Sequence, residues 1–165
     1  MKELLQLRAA VIQALGEGGL TALEAFPAGR AKRYPGAVAA VSVGAAEGKT
    51  LGFCNYLGEQ YDASSGQVWE RYGKRLEAEI LVDVRAETAA DCEGGCAAAS
   101  SVLLSGLPEG VRPGELRWEE VKWERESGFF LRRGRLQCSA LFLAQSQEGE
   151  PVFLDFQLKG VLKHE

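Results

Sequence analysis

The chain is 165 residues long, 46% apolar and 25% charged, with a formal net charge of −4. That length supports one domain with its own core, and that balance excludes a disordered or membrane-embedded chain. The acidic surplus argues against a domain whose task is to grip phosphate backbones, so no direct sequence-specific nucleic-acid binding is expected.

Residues 2–16 set Leu4, Leu7, Val11 and Leu15 at helical spacing and run into Gly16, Gly18 and Gly19, which reads as an amphipathic helix stopped by glycine. The stretch "LTALEAFPAGRAKRYPG" is broken by Pro27, Gly29, Pro35 and Gly36 and reads as an irregular connection, pinned to the body by Phe26 and Tyr34. "AVAAVSVG" is then a strand with Ala37, Ala39, Val41 and Val43 on one face. "KTLGFCNYLGEQY" reads as a second strand, because Leu51, Phe53, Asn55 and Leu57 alternate with Gly52, Cys54 and Tyr56. After the turn residues Asp62, Ser64, Ser65 and Gly66, the run "VWERYGKRLEAEILVDVRA" alternates clearly. Leu76, Ala78, Ile80, Val82 and Val84 face a core, and Glu77, Glu79, Asp83 and Arg85 face water. Two strands joined at such a tip predict a long hairpin arm.

Thr88 and Asp91 form a capping box, after which Cys92, Cys96, Ala99 and Leu103 share one helical face. Gly94 and Gly95 each cost about 1 kcal/mol against alanine inside a helix, so a loose first turn is expected. "GLPEGVRPG" ends this helix. In "ELRWEEVKWERE" the apolar parity switches between Trp118 and Val121, which predicts a bulge near Glu119 and Glu120. "GFFLRRGRLQCSALFLAQ" and "PVFLDFQLKGVL" complete the strands, joined through the turns "ESG" and "SQEGE". The order helix, three strands, helix, three strands predicts an α+β fold: a mostly antiparallel sheet of about six strands with two helices packed on one face, a single domain over residues 1–165.

Residues in a pattern suited to chemistry are few. Cys92 and Cys96 have metal-ligand spacing, but zinc needs about four ligands and only Cys54, Cys138 and His164 remain, so the four cysteines are read as small core residues and no metal is expected. His164 lies next to the chain end, poor ground for a Ser-His-Asp or Cys-His mechanism. The carboxylate pairs Glu119/Glu120 and Glu77/Glu79 read as solvated strand faces, and "GAAEGK" lacks the spacing of a phosphate loop. No catalytic residue and no cofactor is expected. A ligand pocket between sheet and helices would need polar groups converging around Tyr56, Tyr72, Trp118 and Trp123. No apolar stretch approaches the roughly 18 to 20 residues of a bilayer span, and the start carries Glu3 where a signal peptide is basic, so a cytoplasmic protein without a membrane partner is expected.

Two surface features remain. Arg132, Arg133 and Arg135 form a compact basic cluster, expected to pair with acids of a neighbouring chain or to lie in solvent; "EAE" and "WEEVKWERE" supply complements. Phe53 and Cys54, Leu81 beside Val82, Phe129 to Leu131, Leu141 to Leu143 and Phe153 beside Leu154 place apolar groups on both faces, so part of the second face is expected to be covered by another subunit or by an arm from one.

The element order, with "AFPAGRAKRYPGAVAAVSV", "GFCNYLGEQY", "WERYGKRLEAEILVDVRA" and "FLDFQLKG", resembles the tail terminator (tail-completion) proteins of long-tailed bacteriophages and prophages. The resemblance implies a structural virion-assembly protein, not an enzyme. It implies a homo-oligomeric ring, typically a hexamer, that caps the tail tube and joins it to the head-completion or connector protein. The place of action would be the bacterial host cytoplasm during assembly and then the virion. Interface residues would include Arg132, Arg133, Arg135 and, on the arm, Tyr56, Tyr61 and Trp69. A head-completion or connector protein of the same particle, and a small ligand-binding domain or enzyme, are the alternatives.

Overall fold

A computed structural model describes residues 2–27, 34–147 and 154–160. Helix α1 (Lys2–Glu17) leads into β1 (Thr21–Leu23), β2 (Val38–Thr50), β3 (Tyr56–Asp62) and β4 (Gln67–Ala86); helix α2 (Ala89–Ser105) leads into β5 (Val111–Trp118), β6 (Lys122–Glu124), β7 (Phe129–Gln147) and β8 (Gln157–Leu158). The sheet has eight strands rather than about six, and it is mixed: β1 runs parallel to β2, and every other pairing is antiparallel. No helix among the described residues is long and apolar enough to cross a membrane.

Its spine is β4 against β7, paired without a slip from Trp69↔Gln147 to Ala86↔Phe130. Period-two alternation therefore holds along both strands, and Leu76 to Val84 and Leu136 to Phe142 turn their even-numbered side chains to one face. Both helices pack on that face. Leu7, Val11 and Leu15 of α1 and Cys92, Cys96, Ala99 and Leu103 of α2 meet Ile80, Val82, Leu136 and Phe142 there, and each large side chain buried in this way contributes about 1.5–3 kcal/mol.

The glycine pair does not loosen α2. Thr88 caps it by accepting from the Asp91 amide at 3.1 Å, and the helix is unbroken across Gly94 and Gly95. Gly95 is where the helix touches the sheet: a Cβ there would stand 2.5 Å from the Ala37 Cβ and 2.9 Å from Val84 Cγ1. The lost propensity is offset by close packing.

The extra strands arise where short-range alternation misleads. "LGFCN" is a turn, with positive φ at Gly52, Cys54 and Asn55, so residues 49–61 are not one strand. β2 ends at Thr50 and β3 resumes along the same edge of β4. The parity switch after Trp118 is real: Trp118 pairs with Gly134 and Lys122 with Leu131, which separates β5 from β6. A three-residue β1 lies inside the stretch read as irregular. Phe26 does pin that stretch, its ring stacked 3.9 Å from the guanidinium of Arg85.

At the end of the chain β8 is only two residues long, and α1 completes its bonding. Gln6 donates to the Phe156 carbonyl and accepts from the Leu158 amide, both at 3.0 Å. Of the predicted turns, "ESG" closes at Gly128 with φ +72°; most of "SQEGE", and His164, lie outside the described residues.

Candidate assembly surface

Beyond Lys74, which Glu3 of α1 holds by an ion pair, β4 continues as an arm. β3, residues 67–73 of β4 and the end of β7 form it. The arm tip is built as expected: Asp62 accepts from the Ser64 amide at 3.0 Å and from the Ser64 and Ser65 hydroxyls at 2.7 and 2.8 Å, and Gly66 takes φ +69°. Those hydrogen bonds hold the Asp62 carboxyl below its ordinary range.

The arm is rich in exposed apolar side chains. Phe53 is 87% exposed and Tyr61 66%, with Tyr56 and Leu57 also exposed. Tyr56 meets Tyr72 edge to face at 5.6 Å, and the Tyr72 hydroxyl donates to Glu70 at 2.8 Å, which raises its pKa. Trp69, opposite Gln60, is half-buried. Tyr56, Tyr61 and Trp69 are thus brought together on one arm. Phe53 and Leu57 belong with them; the glycine and asparagine of "LGFCN" were the signal that would have put Phe53 at an exposed turn.

The arginines are elsewhere, at the opposite end of the β4–β7 spine, and they do not form one patch. Arg132 lies opposite Val84 on the helix side, its Nε donating to the Glu119 carbonyl at 2.7 Å. Arg133 and Arg135 point to the second face. Arg133 forks onto Asp83 at 2.6 and 2.7 Å, and Arg135 reaches Glu119 at 3.0 Å and Glu79 at 3.5 Å. Glu79 of "EAE" and Glu119 of "WEEVKWERE" are thus complements within the same chain. These pairs also occupy Glu79 and Glu119, two of the carboxylates weighed for acid–base work. Leu81, Leu131, Leu141 and Leu143 are half-buried, so the middle of the second face is a charge lattice between leucines rather than an apolar sheet.

Burial raises the thiols of Cys92, Cys96 and Cys138, the latter two to about 12 and about 11, and so keeps them protonated. Cys54 departs from the expectation of a core residue: it sits exposed in the turn. No group of three His, Cys, Asp or Glu side chains suited to a metal occurs among the described residues.

The four aromatic residues of the hypothetical pocket do not converge. Tyr72 is opposite Ala144 and Trp118 opposite Gly134, ten residues apart on β7, or about 33 Å of strand. Trp118 packs between sheet and α2, donating to Ser100 at 2.9 Å, and Trp123 stacks edge to face on Phe130 at 4.9 Å. An open cleft of about 520 Å³ between the C-terminal ends of the helices is lined by Ala10, Ala14, Leu107 and Pro108 together with Gln13, Glu17 and two glycines.

The sequence matches no known protein-family model, and no curated protein matches it. Among solved structures, a chain of the "Virion of native gene transfer agent (GTA) particle" is similar to it at 22% identity, over 82% of this chain and 93% of that chain, with a TM-score of 0.35.

Proposed function

We propose that this chain is a structural protein of a phage-like particle that works by self-association, capping the tail tube as a ring between the tube and the head connector. The arm carries the proposal: Phe53, in the turn before β3, and Tyr56, Leu57 and Tyr61, on β3, all stand exposed where the arm leaves the helix-covered body. A cluster of exposed aromatic residues is the usual anchor of a protein interface. The resemblance to tail terminators supplies the ring and its place in the particle. Against a ligand-binding or enzymatic role, the space between sheet and helices is filled by Leu7, Leu15, Ile80, Leu103, Leu136 and Phe142. Tyr56, Tyr61 and Trp69 are the proposed contact residues; Arg133 and Arg135, paired within the chain, stiffen the other end of the second face.

Electron microscopy of the protein mixed with tail tubes tests this directly, together with light scattering across concentration. Caps on tube ends are expected. Bare tube ends and a monomer at every concentration would overturn the proposal, and rings bound to the head connector instead of the tube would favour the connector role.

A further inference from the structure

The unbroken β4–β7 register fixes which side chains share each face of the arm. On the helix-side face stand Tyr72, opposite Tyr56, and Glu70, directly opposite Glu59. No lysine or arginine of the described arm residues falls on this face until Lys74, which Glu3 already holds. The other face differs in charge. Lys49 lies directly opposite Arg75, Arg71 is four residues further out on the same face, and none of the three has an ion-pair partner among the described residues. Between them Leu51, Leu57 and Leu143 crowd over Gly73, where a Cβ would meet their methyl groups at 2.7 to 3.5 Å. Acids flank this patch on either side: Glu47 opposite Glu77 one row inward, and, opposite Gln67 at the tip, Asp62, whose carboxylate is held by Ser64 and Ser65.

One face therefore carries the tyrosines with the Glu59–Glu70 pair, and the other carries Trp69 and the leucines with a basic patch of Lys49, Arg71 and Arg75. Like charges directly opposite one another destabilise a strand pair, and the free chain carries such a pair on each face. We infer that copies of this chain stack arm on arm, the helix-side face of one against the opposite face of the next, so that Glu59 and Glu70 meet Lys49, Arg71 and Arg75. This stacking rests on the self-association proposed above. It joins two different surfaces, which generates a ring or a filament; a two-fold contact between identical faces would set like charges together.

Two double variants test it, Glu59→Lys/Glu70→Lys and Lys49→Glu/Arg75→Glu, followed by sedimentation and light scattering with and without tail tubes. Circular dichroism checks that both stay folded, and Glu59→Gln/Glu70→Gln with Lys49→Gln/Arg75→Gln replace them if they do not. Each reversal alone is expected to weaken self-association at least about tenfold, because each juxtaposes like charges. Their equimolar mixture is expected to recover it, since a reversed acidic face then meets a reversed basic one; for the neutral variants the expected result is a weaker salt dependence than wild type. A mixture no better than its components, an effect confined to one face, or neutral variants with unchanged salt dependence overturns the stacking. Wild-type protein that stays monomeric, tubes included, overturns the self-association reading itself.

Discussion

The indole of Trp118 fills the space that a side chain at Gly134 would need. A Cβ on Gly134 would lie 2.7 to 2.9 Å from three ring carbons, and the ring is held in place by its hydrogen bond to Ser100. Gly134→Ala must displace a pinned, rigid ring and is expected to cost about 1–3 kcal/mol. Urea unfolding measures it, and Trp118→Leu in the same background should recover part of the loss.

The two glycines of α2 should respond with opposite signs. Nothing lies within 4 Å of a Cβ on Gly94, so Gly94→Ala should gain up to about 1 kcal/mol of helix propensity. Gly95→Ala collides with Ala37 and Val84 and should lose about 1–3 kcal/mol despite the same propensity gain. Paired denaturation curves give both signs.

Arg133 and Asp83 form a bidentate pair that is only partly buried, with side-chain exposures of 38% and 20%. Solvent screening limits its worth, so a double-mutant cycle of Arg133→Ala and Asp83→Ala should return a coupling of about 0.5–1 kcal/mol. Because the guanidinium fork matches both carboxylate oxygens, Arg133→Lys should recover less than the full coupling.

Thiol chemistry should divide the cysteines sharply. Exposed Cys54 reacts at once with a thiol reagent, whereas Cys92, Cys96 and Cys138 react only after unfolding. Burial raises the folded pKa of these three, so the unfolded chain loses their protons first. Their contribution to stability is fully present below the unfolded value of about 8.5 and declines as pH rises from there towards the folded values. Thermal melts from pH 7 to 10 should show this decline, and Cys96→Ala should flatten it.

Where one period ran long enough, the elements were legible in the sequence. β4 shows five alternating apolar residues from Leu76 to Val84, and α2 shows Thr88, Cys92, Cys96, Ala99 and Leu103 in register; both match the structure. Residues 49–61 failed because Leu51, Phe53, Asn55 and Leu57 imitate alternation across a turn, and backbone handedness at Cys54 and Asn55 is invisible to a count of apolar residues. The arginines are divided for a different reason: adjacent residues on a strand point to opposite faces, so Arg132 and Arg133 are neighbours in the chain but lie on different sides of the sheet. The arm was foreseen as a hairpin; the difference in charge between its faces depends on cross-strand register, which a single strand does not encode.

β4 and β7 run from beneath the helices out into the arm as continuous strands, with no hinge between the two parts. The arrangement is a cantilever: about 66 Å of strand, clamped at one end by a packed interior and free at the other. A load applied at the tip is carried by backbone bonds straight to the layer under α1 and α2, so the free end can be seated against a neighbour without the rest of the molecule swinging loose.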